Sequence, residues 1–199
     1  MKKLLIASNN AHKFQELSAL LADLNLELIK PSDLGIKIDV AETGDSYYAN
    51  ALIKARSFHE ASNMPVLADD SGLEVNALNG LPGIHSHRLV PIKHATDRDR
   101  CFYLLGRLAE TPKPWLAAFH STTILYINSQ EIYSSHGICP GQIIEDFRGE
   151  NGFGFDPIFL LAGRNQTMAE LSEKQKNELS HRARAIQAFD ALQNWANRS

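Results

Sequence analysis

Cysteine is almost missing from this chain: of 199 residues only Cys101 and Cys139 are cysteine, and no Cys-x-x-Cys pair occurs. That excludes a disulfide framework and a thiolate metal centre, and it leads to the expectation of reduced thiols and a cytoplasmic protein. The eight histidines include no His-Glu-x-x-His spacing, which argues against zinc. Long apolar runs are lacking too. Leu4-Leu5-Ile6-Ala7 stops at Ser8-Asn9-Asn10, too short for a signal-peptide core or a membrane span. Basic charge is not in excess: the formal net charge is −3, so neither a nucleic-acid nor a membrane partner is expected. There is no repeat, low-complexity linker or long block of one charge. What remains is an ordinary globular composition, 44% hydrophobic and 22% charged, long enough for one large domain or a compact two-lobed one.

Periodicity supplies the elements. Lys3 to Ala7 reads as a buried strand, Ser8 to Lys13 as a polar turn, and His12 to about Leu24 as a helix with Phe14, Leu17, Leu20, Leu21 and Leu24 at helical spacing. Ser46 to about Ala61 predicts a second helix, with Tyr48, Leu52 and Ala55 on one stripe and Tyr47, Asn50, Lys54 and Ser57 on another face. Short strands are expected at Val66–Ala68 and Leu73–Ala77, and a third helix from Thr96, capped with Asp99 and carrying Phe102, Leu105 and Leu108. Trp115 to Ile127 and Glu131 to Ile138 alternate as a long strand pair turned by Asn128-Ser129-Gln130, an arm for a smaller lobe. A flexible Gly149–Gly154 loop precedes a strand at Pro157–Leu161, Thr167 and Glu170 read as a capping box, and a last helix runs from Ser180 to about Trp195, burying Ala185, Ile186, Phe189 and Leu192. The fold class is α/β, a mixed sheet with flanking helices.

Against that background the segment Ala68-Asp69-Asp70-Ser71-Gly72-Leu73 is the most informative. Adjacent carboxylates where a strand opens into a loop can be partly buried and can hold Mg²⁺ or activate water; a polar turn is the plainer reading. Three further clusters share that placement at element ends. Ser8-Asn9-Asn10-Ala11-His12-Lys13 joins the first strand to the first helix and offers helix-start N–H groups, amides and a lysine to an anion such as phosphate. It is not a Walker A loop, and a simple Ser/Asn cap would also account for it. Glu42-Thr43-Gly44 precedes the helix that carries Asn50 and Lys54, so Glu42 can join Asp70 on a metal while Lys54 supports the acids; a solvated helix start is the alternative. Gly152-Phe153-Gly154-Phe155-Asp156-Pro157 sets aromatics and an acid on a glycine-hinged loop, where rings can stack on bases, although most Phe side chains are core. Arg88 leaves the Gly80–Gly83 segment, a turn signal first and a phosphate or structural contact only second, and Lys176 with Ser180-His181-Arg182 surrounds the last helix start, where solvated surface charge is the plainer reading.

Taken in order, these residues resemble the inosine/xanthosine triphosphate pyrophosphatases, nucleotide hydrolases also called dITP/XTP pyrophosphatases. The match runs from Ser8-Asn9-Asn10 and Lys13 through Glu42-Thr43-Gly44, Asn50-Ala51, Lys54-Ala55, Asp69-Asp70-Ser71-Gly72, Gly80 to Gly83 with Ser86 and Arg88, Gly152 to Phe159, and Ser180-His181-Arg182. Ala183 stands where the family pattern often has Gly, and Phe155 where it often has Tyr. The resemblance implies one elongated two-lobed domain over residues 1–199 with a central cleft, a homodimer, and Mg²⁺-dependent hydrolysis of dITP, ITP and XTP to monophosphate and pyrophosphate, which cleanses the nucleotide pool. It also implies roles. Asp70 would be general base and metal ligand with Glu42, supported by Lys54, Asp69 and Arg88. Ser8 to Lys13 would hold the triphosphate, with Ser71 beside the reacting centre. Phe153, Gly154, Phe155, Asp156, Lys176, His181 and Arg182 would form the purine pocket. His181 and Arg182 would donate to the C6 carbonyl of hypoxanthine or xanthine, and the like charge of Asp69 would raise the proton affinity of Asp70 while a metal lowered it. Two rivals stay open: a metal phosphohydrolase releasing orthophosphate, although its Asp-x-Asp signature is missing, and a non-catalytic nucleotide sensor.

Overall fold

The computed structural model describes residues 1–92 and 94–198. Its helices and strands, in chain order, are β1 (Lys2–Ile6), α1 (Ala11–Leu20), β2 (Leu26–Ile29), α2 (Tyr47–Ser62), β3 (Val66–Val75), β4 (Pro82–Gly83), α3 (Asp97–Leu108), β5 (Trp115–Asn128), β6 (Glu131–Ile143), β7 (Phe159–Leu161), α4 (Glu173–Leu179), α5 (His181–Gln187) and α6 (Asp190–Asn197). The strands hydrogen-bond in the order β2-β1-β3-β5-β6-β7, with β4 beside β3. β1 runs parallel to β2 and β3, while β4 on β3 and β7 on β6 are antiparallel, so the sheet is mixed as the sequence pattern requires. Contacts divide the chain into two compact units, one of residues Met1–Asp70, Ser121–Gly137 and Arg182–Ser199, the other of Ser71–His120 and Ile138–His181. Among the described residues no helix is long and apolar enough to cross a membrane.

In the first unit the two-residue period of the strands sorts apolar side chains to opposite faces of the sheet. Leu4 and Ile6 of β1, Leu67 of β3 and Leu125 of β5 pack with Leu17 and Leu21, and with Ile186, Phe189, Leu192 and Trp195 of the last two helices. Their strand neighbours Leu5, Ala7, Val66, Ala68, Ile124 and Tyr126 pack instead with Ala51, Ala55 and Phe58 of α2. The parallel register Leu5↔Val66 and Ile6↔Leu67 keeps the two sets in line. Each fully buried Leu or Phe contributes about 1.5–3 kcal/mol through lost apolar surface. Lys2 ties the ends of this unit together: its ammonium donates to the Trp195 carbonyl at 2.6 Å, where a cation suits the negative end of α6. The second unit has its own core, built from Leu104 and Leu108 of α3, Trp115 and Phe119 of β5, and Phe155, Ile158 and Phe159.

Several elements differ from the expectations. β3 is one strand of ten residues, so Asp69, Asp70, Ser71 and Gly72 lie inside it and not in a loop between two strands. Turn-forming residues continue the strand because tertiary pairing overrides their preference: β4 binds its far half, with Leu73 opposite Gly83. Gly72 is needed there because a Cβ would meet the Gly83 carbonyl oxygen at 2.1 Å, an oxygen that Ser86 also holds by donating to it at 2.7 Å. α1 stops at Leu20, with Leu24 in the following turn. The α2 stripe is rotated from the one read in sequence: Asn50, Ala51, Lys54, Ala55 and Phe58 are buried and Tyr48 is exposed. Likewise Leu104, not the exposed Phe102, packs inward from α3. β5 and β6 are not a separate arm, for each contributes residues to both units. The strand after the glycine loop is shortened to Phe159–Leu161 by a 3-10 turn at Asp156–Ile158. The expected single last helix is two, α5 and α6, parted at Phe189 (φ −98°, ψ 67°), and α4 before them was missed. Gly72→Ala is expected to destabilise the protein by about 1–3 kcal/mol, read as a lower urea midpoint at unchanged slope.

Candidate active site

The alternation that sorts the core also separates the two acids of β3. Asp69 shares a face with Leu67, toward α1 and α5; Asp70 shares a face with Ala68, toward α2. Both are buried, at 4% exposure each. A buried carboxylate must be paired, and each helix layer supplies its own cations.

On the Asp69 face, Lys13 Nζ donates to Oδ2 at 2.9 Å, Ser121 Oγ to Oδ1 at 2.5 Å, and Arg182 Nε and Nη2 to Oδ2 at 3.4 Å each. The Arg182 guanidinium, 1% exposed, also donates through Nη1 to Glu16 on α1. Burial alone would raise the Asp69 pKa, but Arg182 and Lys13, with the Ser121 hydroxyl, hold it well below the usual carboxylate range. Burial works against the Arg182 cation, and Asp69 with Glu16 outweighs it, raising its pKa. For Lys13 burial wins, and its pKa is lowered despite Asp69.

On the other face Lys54 is the hub. Its ammonium donates to Glu42 Oε1 at 2.9 Å, to Asp70 Oδ1 at 3.0 Å and to the Asp69 carbonyl at 2.7 Å, using all three of its donors. Burial opposes the Lys54 charge, but Asp70 and then Glu42 outweigh it, so its pKa is raised. The Asp70 pKa is raised, first by burial and further by Glu42, against the pull of Lys54 and Lys13. Glu42 supplies the leading like-charge contribution, while the strand turns neighbouring Asp69, the expected source, to the opposite face. Asp70 Oδ2 is buried with no hydrogen-bond partner among the described residues. Asn50, fully buried beside this cluster, accepts from the Gly44 amide at 2.8 Å and so fixes the turn that carries Glu42.

The Ser8–Lys13 segment turns into α1 through Asn10, whose side chain accepts from the Lys13 amide at 3.1 Å, so the helix-cap reading holds for that residue. Ser8 Oγ accepts from the Asn10 amide at 3.2 Å, and Asn9 donates to the Ile38 carbonyl at 3.1 Å. Ser8, Asn9, Asn10 and Ala11 also line a depression of about 580 Å³ with Phe14, Gln15 and Lys30. His12 is exposed.

The remaining expected residues belong to the second unit, except Arg182. Phe155 is core, 4% exposed, which corrects its placement as an exposed pocket aromatic. Asp156 and Lys176 form a buried ion pair at 2.6 Å, with the ammonium 4.9 Å from the Phe153 ring centre. His181 stacks on Phe119 with ring centres 4.9 Å apart and planes 17° from parallel. Lys176, Ser180, His181 and Arg182 are all at least nine-tenths buried, so the solvated-surface reading fails for every one. Ser71 lies on β3 of this unit, and Arg88 is exposed at the end of the Ser86–Arg88 turn. Glu16 and Ser121 were missed. Glu16 sits one helical turn from Lys13, and Ser121 shares the strand parity of Leu125, signals visible only once the partner faces are known.

A mixed sheet flanked by helices, with helix-borne cations around a strand-borne acid pair, defines an α/β protein with a charged cluster on its central strand. The sequence pattern of the Ham1 family matches residues 4–192, and the chain belongs to that family. It is similar to the dITP/XTP pyrophosphatase of Shigella flexneri, 38% identical over 98% of this chain and all of that one. The dITP/XTP pyrophosphatase of Aquifex aeolicus is 39% identical over 92% of this chain and 93% of its own length. The solved structure of a HAM1 protein from Coxiella burnetii superposes with a TM-score of 0.88 at 37% identity, covering 98% of this chain and all of that one.

Arg182→Ala is expected to cost about 3 kcal/mol or more of stability, because it leaves Asp69 and Glu16 buried with less compensation; chemical denaturation reads it. For Asp69 the sign follows from its depressed pKa: its ionised form stabilises the fold above the unfolded carboxylate pKa and loses that effect as pH falls. Asp69→Asn should therefore be less stable than the parent at pH 7, with the difference shrinking below about pH 4, as thermal unfolding across pH would record.

Proposed function

We propose that the protein hydrolyses nonstandard purine nucleoside triphosphates, dITP, ITP and XTP, to the monophosphate and pyrophosphate, with Mg²⁺, and so keeps them out of DNA and RNA. The observation that carries this reading is Asp70: a buried carboxylate of raised pKa, one oxygen fixed by Lys54 and the other unpartnered among the described residues. The names of the relatives, dITP/XTP pyrophosphatase, point to the same reaction.

The residues fit a hard divalent cation. Around β3, among the described residues, four carboxylates (Glu16, Glu42, Asp69, Asp70) are linked to three cations (Lys13, Lys54, Arg182), a balance that favours a further cation. Among the described residues no cluster of three or more acidic, His or Cys side chains forms a ready cage. Mg²⁺ does not need one, since it commonly takes one or two carboxylates and completes its shell with water and substrate phosphate. Glu42 and Asp70 would hold it, and it would supply charge neutralisation on the triphosphate.

The roles of this chain's own groups follow from their chemistry. Asp70 accepts the proton of the attacking water, a task suited to a carboxylate whose pKa lies above the ordinary range. Lys54 keeps Asp70 and Glu42 oriented with all three donors engaged. Lys13, with one donor on Asp69, and the amides of the α1 start receive the phosphate chain. Phe153 stacks on the purine, and His181 donates to the C6 carbonyl shared by hypoxanthine and xanthine. Adenine carries an amino group there, and a donor left unpaired against it costs about 1–3 kcal/mol. Arg182 enters as the charge partner of Asp69, its guanidinium turned to Asp69 and Glu16. Ser71 belongs with the substrate-binding residues of this reading and Arg88 with the supporting ones. The chain is further read as a cytoplasmic homodimer, which sedimentation at graded concentration tests.

Incubation with ITP, XTP, GTP or ATP should release pyrophosphate, fastest from ITP and XTP, with turnover abolished by chelation and restored by Mg²⁺. Orthophosphate as the product would instead favour the metal phosphohydrolase reading. Asp70→Asn should lower kcat by about 10²-fold or more while nucleotide binding persists in calorimetry; turnover near the parent level would remove Asp70 from the role.

A further inference from the structure

The segment from Gly149 to Asp156 has the composition of a mobile loop, with Gly149, Gly152 and Gly154 all at positive φ. Its peptide groups are nevertheless held. The Asn151 amide donates to the Ala169 carbonyl at 3.1 Å, and the Asn151 side chain to the Leu171 carbonyl at 3.0 Å. The Phe153 amide donates to Asp156 Oδ2 at 2.9 Å, the same oxygen that takes Lys176. Gly154 is gripped from α3: its N–H donates to Asp97 Oδ2 at 2.7 Å, and its carbonyl accepts from Cys101 Sγ at 3.4 Å, one helical turn further on.

Asp97 is free for this task because the α3 start is capped by other residues. Thr96 accepts from the Asp99 amide at 3.2 Å, and Asp99 Oδ2 accepts from the Thr96 amide at 2.8 Å, a complete capping box. The second oxygen of Asp97 takes Arg100 Nη2 at 2.7 Å, and Arg100 Nη1 in turn donates to the Ala95 carbonyl at 2.8 Å, so the carboxylate is itself fixed. A charge-assisted bond of this length is among the stronger single contacts available to a backbone N–H.

We propose that Asp97 is a positioning residue for substrate: by holding the Gly154 peptide it presets the adjoining Phe153 ring, so the loop need not be ordered when a purine stacks on it. This rests on the assignment of Phe153 to the base. The test uses Asp97→Ala, Asp97→Asn, which keeps an acceptor for Gly154, and Arg98→Ala, a same-turn control whose guanidinium lies over the Phe102 and Phe147 rings. Hydrogen exchange over residues 149–156 is expected to accelerate at least tenfold in Asp97→Ala, less in Asp97→Asn and not in Arg98→Ala. KM for ITP should rise about tenfold in Asp97→Ala with kcat within about twofold of the parent, and Asp97→Asn should recover part of the loss. Unchanged exchange in both Asp97 variants overturns the anchor. Faster exchange with unchanged KM, or a fall in kcat alone, overturns the role in binding. A parent inert toward ITP overturns the proposed function and the binding role together, and leaves the anchor to be judged by exchange alone.

Discussion

Everything in the first unit turns on the requirement that a buried carboxylate be paired, applied to two such groups in succession on one strand. Two adjacent acids in a loop would share solvent and repel each other. Within β3 the pleat sends Asp69 toward α1 and α5 and Asp70 toward α2, and the repulsion is replaced by two separate pairings. The pairings differ in kind. Asp69 meets Lys13, Arg182 and Ser121 and is locked in its ionised form, a structural anion. Asp70 meets a single lysine shared with Glu42, keeps one oxygen unpartnered among the described residues, and takes a raised pKa. One dipeptide thereby yields two carboxylates whose pKa values move in opposite directions, the pleat sending each to its own partners.

The second unit solves a different problem, that of holding a glycine-rich segment still. Left-handed glycines allow the tight path of residues 149–156, and hydrogen bonds to groups outside the segment, the Asp97 carboxylate and the Leu171 carbonyl, then remove the freedom that those glycines bring. Gly152 shows how close the fit is: a Cβ there would meet Asp156 Oδ2 at 2.1 Å and Lys176 Nζ at 3.0 Å. The ion pair and the bare backbone occupy one space, so the residue between them can only be glycine.

The sequence disclosed element types more readily than element edges. β1, α1, α2, α3 and the β5–β6 pair were legible because apolar spacing and caps such as Ser46 and the Thr96–Asp99 box are local signals. The continuity of β3 was not, since Asp-Asp-Ser-Gly is turn-forming by local preference and its pairing within the sheet, to β1 and β5 and at its far end to β4, holds it extended. The break at Phe189 was equally hidden, because Ile186, Phe189 and Leu192 fall at intervals of three and read as one uninterrupted helix face. At the candidate site the residue types Glu42, Lys54, Asp70 and Lys13 were legible, and so was the support that Lys54 gives the acids. The partners of Asp69 were not: Arg182 stands 113 residues away, and no local pattern announces a contact of that span. Phe155 went wrong for the converse reason, since an aromatic in a glycine loop looks alike in sequence whether it faces solvent or core.

That span of 113 residues has a consequence for how the molecule comes to exist. The first unit is assembled from the two ends of the chain, and every residue of the second lies between Asp70 and Arg182. Synthesis at about 5–20 residues per second puts on the order of ten seconds between the appearance of Asp69 and that of its guanidinium partner. Through that interval the Asp69 face of the sheet lacks both the Arg182 charge and the apolar cover of Ile186, Phe189 and Leu192, while the residues of the second unit are being added. The Asp69 side of the acid pair therefore gains its guanidinium only after the second unit's residues have been made, whereas Asp70 follows Glu42 and Lys54 in the chain and has its charge partners from the start.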